Sequence, residues 1–533
     1  MVLVSTHPLP ARLPTATPDR VARLREALLA ASFTVDGLLA LLGASAHAAL
    51  ARGEAVPALR ATRGGSARET LVRLFLLQRP VAYGRAAAAL PVEDCLADGW
   101  LVPADGVPDP AGHTPADGLP EAAVRASVDI RPYAGPSGEE WWIVSDPGCA
   151  TGGAAGAGQP PTGVDRAQLV LGVGGASTTL AGLTVRTPVA RALDLGTGSG
   201  VQALHASRHA AQVTATDSNP RALRFARLTL ALSGARPADL REGSLFEPVA
   251  GETFDLIVSN PPFVISPAGP EGQRLVYRDG GMGGDDLCRT LVQRSAGHLA
   301  DGGWCQLLAN WQHVEGEDWR ERVAAWVPPG CDAWIVQREA QDVARYAELW
   351  LRDAGLHLAG PGVYAARYDA WLEEFEARKT RAVGFGWIAL RRSGAERPSV
   401  TVEEWPHPVE QPLGDTVADH FARQDFLRAH DDAALLTRRF RLAAEVTQEQ
   451  VGLPGAEDPE HVILRQQRGM RRATTVDTVG AGFAGACDGT LGAGRILDAI
   501  AQLLGEEPVL LRDRAPESIR LLVEQGFLEP ADA

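Results

Sequence analysis

Apolar residues change their spacing along this chain, and each change predicts a different kind of structure. From Val21 onward Leu24, Leu28 and Leu29, then Leu38, Leu39, Leu41 and Leu42, recur three or four positions apart, the spacing of a helix face. The pattern continues through Glu69-Thr-Leu-Val-Arg-Leu-Phe-Leu-Leu and ends in the strand-like runs Ala126-Ser-Val-Asp-Ile-Arg and Trp141-Trp-Ile-Val-Ser. A Pro/Asp/Gly segment at 103–120 and a Gly/Ala segment at 150–163 predict loops or linkers.

From about residue 164 short apolar strands alternate with helical stretches. The strands are Ala192-Leu-Asp-Leu, Gln212 to Asp217, Phe254 to Ser259 and Gly303 to Leu308; helices are expected over 221–233 and 286–299. Such alternation predicts a parallel, doubly wound α/β sheet of the Rossmann-like kind. Late strands at Ala333 to Gln337 and Gly384 to Arg391, the second after a charged helix over 369–379, would close it.

A third region from Glu396 mixes a strand-like Ser399-Val-Thr-Val-Glu-Glu-Trp with helices and a strand at His461-Val-Ile-Leu. Its end repeats a feature of the first region. A helix followed by Gly99-Trp100-Leu101-Val102-Pro103 matches a helix followed by Gly526-Phe527-Leu528-Glu529-Pro530. A helix passing into a wing strand gives this pattern, so both flanks are expected to be α+β with winged-helix-like units. The expected organisation is a lead-in at 1–20, an accessory region at 21–150, the sheet domain at 164–395, and a second accessory region at 396–533.

At 533 residues the chain is too long for a single core. No run of about 18 apolar residues is present, so no membrane span is expected. Met1 to Arg20 lacks a basic start and an apolar stretch, and reads as a disordered lead-in, not a signal peptide. Six scattered cysteines without a Cys-x-x-Cys pair predict neither zinc nor disulfides, and fit a cytoplasmic location.

The net charge of −15 opposes tight nonspecific binding to phosphate backbones. In the first winged-helix candidate Arg68, Arg73, Arg79 and Arg85 are balanced by Glu69, Glu93, Asp94 and Asp98; residues 487–530 carry four Arg against eight acids. Protein-contact or structural modules fit this better than groove reading. The most basic stretch, Arg465-Gln-Gln-Arg468-Gly-Met-Arg471-Arg472, is expected to be a solvated face.

Two sites carry the chemistry. Asp194-Leu-Gly196-Thr197-Gly198-Ser-Gly200 follows a strand and precedes a helix, and its glycines let backbone approach a ligand closely. About 20 residues on, Asp217, with Ser218 beside it, ends the next strand where a carboxylate accepts ribose hydroxyls; capping the following helix is its alternative role. Dinucleotide loops usually read Gly-x-Gly-x-x-Gly and face a pyrophosphate. Here Asp194 would repel phosphate but suits an ammonium and a sulfonium, so the expected cofactor is S-adenosylmethionine. Ser244, in the loop Leu240-Arg-Glu-Gly-Ser244-Leu-Phe246-Glu-Pro that precedes the third strand, is expected beside the adenine with Phe246 packing nearby, and a plain turn is the alternative.

The second site is Asn260-Pro261-Pro262-Phe263, directly after a strand. The Asn260 side-chain carbonyl and the Pro261 backbone carbonyl can each accept one N–H of a planar amino group, and Phe263 can stack on it. An ordinary strand-ending turn is the competing reading. His205 and His209 are spaced i, i+4 but lack a third ligand, so a surface helix and no metal are expected. Trp141 and Trp142 read as core, with a substrate channel also including Asp129 to Tyr133 as the alternative.

These motifs, with Ala215-Thr-Asp217 and Tyr277-Arg-Asp279-Gly-Gly281-Met-Gly-Gly-Asp-Asp-Leu, give residues 165–392 a resemblance to class I methyltransferases of the amino-methylating group. HemK-type release-factor glutamine methyltransferases are the most similar, and the whole chain resembles large multidomain actinobacterial methyltransferases. The resemblance implies a seven-stranded sheet and methyl transfer from S-adenosylmethionine to a planar nitrogen. Two departures bear on the substrate. Phe263 stands where the glutamine enzymes usually have Tyr, as in ribosomal-RNA guanine methyltransferases and similar N6-adenine enzymes. Leu171-Gly-Val-Gly-Gly-Ala-Ser177-Thr-Thr replaces their Pro-Arg-x-x-Thr-Glu. The expected acceptor is a macromolecule: protein glutamine, as in a release factor, or alternatively guanine N2 or adenine N6 of RNA or DNA. A non-catalytic protein that binds S-adenosylmethionine is the reading from another class.

Overall fold

The computed structural model describes residues 13–104, 122–148, 168–267, 280–358, 360–454 and 459–531. The chain divides into two compact units, Met1–Ala181 with Pro188–Trp405, and Gly182–Thr187 with Pro406–Ala533. Among the described residues no single helix is long and apolar enough to cross a membrane.

The first unit opens with helices Pro18–Ala30 and Val35–Ala51, the second capped by Thr34, whose hydroxyl accepts the Gly37 N–H at 3.1 Å. Helix Ala67–Leu71 starts in a reciprocal capping box between Ser66 and Glu69. There follow β1 (Val81–Ala82), helices Tyr83–Ala89 and Val92–Asp98, β2 (Leu101–Pro103) and β3 (Ala123–Ala126). The three strands pair antiparallel in the order β1-β3-β2. Helix, strand, two helices and two strands follow one another here, the order expected of a winged-helix-like unit. Gly99, in the left-handed region at φ +81°, turns the second helix into β2.

β4 (Asp129–Ala134) and β5 (Glu140–Ser145) form a hairpin, and β5 docks on helix Pro220–Leu232. The Trp142 and Val144 N–H groups donate to the Ser233 and Thr229 hydroxyls, each at 3.0 Å, so the edge strand is satisfied by side chains just past and within that helix. The Trp142 indole donates to the Phe33 carbonyl at 2.8 Å. Arg221 grips the buried Asp146 with both its Nε and an Nη. One core runs from Leu24, Phe33, Phe75 and Trp100 through Trp142 to Phe225, Leu228 and Leu232. The expected division near residue 150 therefore crosses no gap in packing. The 220–232 helix is apolar on two sides, covering the sheet with one and the N-terminal helices with the other. The expected lead-in is also shortened: Leu13 is buried, the helix starts at Pro18, and Arg20 pairs with Asp98 at 2.7 Å. Residues 1–12 and most of both expected linkers lie outside the described residues.

The central sheet holds β6 (Val189–Leu195), β7 (Ala210–Asp217), β8 (Asp239–Glu242), β9 (Phe254–Ser259), β10 (Leu299–Val314), β11 (Cys331–Asp342), β12 (Thr380–Arg392) and β13 (Val400–Glu404). Their order is β13-β11-β12-β10-β9-β6-β7-β8. Every neighbouring pair is parallel except those made by β12, which runs antiparallel to β10 and β11. β13 is the difference from the expected seven strands. Its sequence, Val400-Thr-Val-Glu-Glu, was expected to begin the third region, but it pairs with β11 from Ala333↔Val400 to Gln337↔Glu404. Between β11 and β12 the chain inserts helices Val343–Asp353 and Pro361–Ala377, the latter carrying most of the charged stretch expected at 369–379.

The second unit contains β14 (Arg439–Leu442), a meander of β15 (Val446–Val451), β16 (His461–Gln466) and β17 (Ala473–Val476), then β18 (Asp488–Gly492) and β19 (Leu528–Pro530). β14 lies between β18 and β19, antiparallel to both. Helices Thr478–Ala486, Ala493–Leu504 and Pro508–Glu524 complete the unit, whose central strand in this sheet, β14, comes from upstream in the chain. In the basic stretch Arg465 pairs with Glu449 at 2.5 Å and Arg468 with Glu445 at 2.6 Å, consistent with a solvated face.

Candidate functional site

The sheet order reverses between β6 and β9: the chain leaves β6 toward β7 and leaves β9 toward β10. In a doubly wound sheet, the crevice outside the carboxyl ends of two such strands is where a ligand has room. The segments leaving those two ends are Gly196–Gly200 and Asn260–Phe263, so the fold brings both motifs to one crevice.

The glycine turn is pinned by backbone. The Gly196 and Thr197 N–H groups both donate to the Thr216 carbonyl at 2.9 Å. Gly196, Gly198 and Gly200 have φ of +77°, +54° and +86°. A Cβ built on Gly196 or Gly198 would meet nothing within 4 Å, whereas one on Gly200 would lie 2.8 Å from the Ala226 Cα. Two glycines thus face open space and the third packs the turn on the 220–232 helix.

Asp194 is 1 % exposed. Its Oδ2 accepts the Thr197 hydroxyl at 2.6 Å and the Ala203 N–H at 2.8 Å, and its buried Oδ1 has no partner. Burial pushes this carboxyl up to about 7; the two donors pull it back and the Asp217 charge pushes it further up. Asp217 accepts the Gly198 N–H on Oδ2 and the Asn219 N–H on Oδ1, each at 2.9 Å. It does not cap the following helix, because Asn219 does, accepting the Arg221 N–H at 2.9 Å. Burial raises the Asp217 pKa, with the backbone N–H groups of Asn219, Gly198 and Ser218 opposing. Ser218 and Ser244 are both exposed. Phe246 is not at the surface beside them. It is buried and stacked on His298, with ring centroids 4.5 Å apart.

In the second motif the Asn260 Nδ2 points to the Ser177 hydroxyl at 3.5 Å, and the Gln202 side-chain amide fixes the Ser177 carbonyl at 2.8 Å. The Pro261 carbonyl accepts the Phe263 N–H at 2.8 Å, which closes the turn and occupies one of its two lone pairs. The Ser259 hydroxyl ties the end of β9 to the Leu195 carbonyl at 2.8 Å. Phe263 is half-buried between two apolar clusters, one under the sheet and one formed by the helices inserted after β11.

Two further supports hold the turn, and one of them, Tyr346, lies far away in the chain with no sequence signal. The buried Tyr346 hydroxyl accepts the Ile265 N–H at 3.0 Å and the Asn310 amide at 2.9 Å. Gly280 sits so close to the turn that a Cβ there would approach the Pro262 carbonyl to 3.0 Å. Its neighbour in that segment, buried Asp285, accepts the Gln312 N–H at 2.8 Å and both Arg322 Nη groups at 2.6 and 2.7 Å. Residues 277–279 of the expected glycine-rich stretch lie outside the described residues.

The remaining candidates resolve as structure. His205 is buried, not on a surface helix; its Nε2 lies 2.8 Å from the Tyr133 hydroxyl and its ring stands edge-on to Trp141. Trp141 and Trp142 are both core. Among the described residues no three His, Cys, Asp or Glu side chains gather as a metal site.

Residues 175–314 match the family model of the Methyltransferase small domain; residues 30–111 and 418–530 match two models described as domains of unknown function, DUF7059 and DUF7782. A release factor glutamine methyltransferase of Xylella fastidiosa is 40% identical over 129 residues, 23% of this chain and 47% of that protein. A ribosomal protein uL3 glutamine methyltransferase of Bradyrhizobium diazoefficiens is 32% identical over 152 residues, 26% of this chain and 47% of that protein. The chain thus spans about half the length of the curated relatives it matches. The solved 16S rRNA N2 G1207 methyltransferase of T. thermophilus aligns at 17% identity and a TM-score of 0.23, covering 47% of this chain and 61% of that one, too distant to bear on substrate. The strand order, the glycine turn, the Asn-Pro-Pro-Phe turn and the family match agree that residues 175–314 form a methyltransferase domain of the HemK-like, class I kind.

Proposed function

We propose that this chain is an S-adenosylmethionine-dependent N-methyltransferase whose acceptor is the side-chain amide of a glutamine in a protein. The observation that carries the reading is the meeting of the open glycine turn and Asn260 at one reversal point of the sheet. The site fits the cofactor on its own terms. Gly196 and Gly198 leave space that a side chain would fill, and the partnerless Asp194 Oδ1 is a buried acceptor suited to a cationic group. When bound, S-adenosylmethionine supplies a methyl group activated on sulfonium.

The chain's own residues bind, hold and orient. Asp194 and Thr197 would hold the cofactor's cationic amino-acid part, Gly196, Gly198 and Gly200 shape the turn, Asp217 with Ser218 would accept hydroxyls through the lone pairs the backbone donors leave free, and Ser244 would contact its base. An amide nitrogen is a poor nucleophile because its lone pair is delocalised. Asn260, its Nδ2 turned to Ser177, keeps Oδ1 for one N–H of the target, and Pro261 offers its remaining lone pair to the other. Two such contacts fix the amide plane and aim its nitrogen. Pro262 stiffens the turn, and Phe263 presents the stacking face.

Protein glutamine is preferred over a nucleic-acid base for two reasons. The relatives that share this domain carry glutamine methyltransferase names, and the chain's charge of −15 disfavours a polyanion. The test is incubation of the purified chain with methyl-labelled S-adenosylmethionine and lysate from a strain lacking it. Label that protease removes and nuclease does not supports the reading; nuclease-sensitive label moves the acceptor to a base.

A further inference from the structure

Helix Pro508–Glu524 has one face in the core of the second unit, through Leu511, Ala515, Ile519, Leu522 and Val523. Its opposite face carries a stripe that is exposed throughout: Leu510 is 65% exposed, Arg514 56% in its side chain, Glu517 exposed, and Leu521 45%. The spacing, i, i+4, i+7 and i+11, keeps the four residues on one line along the helix. Shortly before Leu510 in the chain, Leu503 is 85% and Val509 61% exposed. Exposed leucines grouped in this way signal a contact surface.

The stripe reads the same from both ends. Leu510 and Leu521 are equidistant from a point between Ala515 and Pro516, and so are Arg514 and Glu517. Under a two-fold axis through that point, an antiparallel copy of the helix would set Leu510 against Leu521 of the second copy and Arg514 against Glu517 of the second copy. Along the stripe apolar meets apolar and positive meets negative, which is the condition for an isologous interface, while at each end Glu507 falls opposite Glu524 of the second copy. A nucleic acid fits this face poorly, although the helix occupies the usual reading position of a winged-helix unit. Arg512 and Arg520 are engaged by Asp498 and, at 2.8 Å, by Asp432, Arg514 would meet Glu517 of the second copy while beside Glu506 of its own chain at 2.5 Å, and residues 487–530 carry eight acids against four Arg.

We propose that the exposed face of helix 508–524 is a homodimer interface, occupied by the same face of a second copy of this chain. The test is sedimentation of the full chain across micromolar concentrations. A concentration-dependent dimer is expected, with Leu510→Glu raising its dissociation constant at least ~10-fold. Arg514→Glu should weaken it by placing like charges together, and the double variant Arg514→Glu/Glu517→Arg should restore it. All three positions are exposed, so circular dichroism melts should remain near those of the parent. A monomer at every concentration, a dimer indifferent to Leu510→Glu, or a double variant no better than Arg514→Glu alone would each overturn the proposal. A monomer that instead binds duplex RNA through this face would do the same.

Discussion

Asn260 and Ser177, 83 positions apart in sequence, are joined by a 3.5 Å contact from the Asn260 Nδ2 to the Ser177 hydroxyl. This contact decides which end of the Asn260 amide is left for a target. Ser177→Ala frees the amide to rotate, so turnover should fall by about 3–10-fold, the worth of one modest hydrogen bond. Cofactor affinity should stay unchanged and Ser177→Thr should recover most of the rate. Steady-state kinetics with separate calorimetry checks this; equal losses in both quantities would place Ser177 in cofactor binding instead.

Gly198 and Gly200 should fail in different ways. Both lie at positive φ, so a valine at either strains the backbone by about 1–2 kcal/mol. At Gly198 the new side chain enters open space, so the chain should still fold but lose S-adenosylmethionine binding. At Gly200 it collides with Ala226, and the melting temperature should drop much further. Thermal melts and titration of both variants separate the two. Tight binding by Gly198→Val would mean that the cofactor lies elsewhere.

Asp194 gives a pH signature. Its folded pKa of about 7 exceeds the ordinary 3.8, so the stability it contributes is present below about pH 4 and is lost as pH rises through about 7. A cationic ligand at Oδ1 reverses that penalty. Affinity for S-adenosylmethionine should therefore rise with pH across the upper part of this window, with a proton released on binding. Asp194→Asn should remove both effects while weakening affinity. Calorimetry in buffers of different ionisation enthalpy measures the proton directly, and no release near pH 6.5 would contradict the assignment.

What the sequence could disclose follows from which interactions are local. The glycine turn and the Asn-Pro-Pro-Phe turn are each short contiguous motifs, so both were legible, as was the strand alternation around them. The edge strand Val400–Glu404 was misplaced because pairing with β11 is a long-range event that leaves no local trace. The same holds for the core shared by Trp142 and Phe225, which merges two regions that composition separates. Phe246 looked available beside Ser244, but its stacking partner His298 lies about 50 residues on. Tyr346 holds the site from the inserted helices and no motif marks it, whereas Asp285, in the returning loop, lies within the glycine-rich stretch on which the resemblance rests.

In the proposed reaction Asn260 acts on the reacting nitrogen and not on the cofactor. The direct measurement pairs calorimetric affinity for S-adenosylmethionine with the rate of label transfer into the protease-sensitive fraction, for the parent chain and Asn260→Ala. The account expects affinity within a few-fold and a rate lowered by roughly 10²–10³, as when one preorganised hydrogen-bonding partner is lost from a transition state. An unchanged rate would contradict it, and would reduce the Asn-Pro-Pro-Phe turn to architecture.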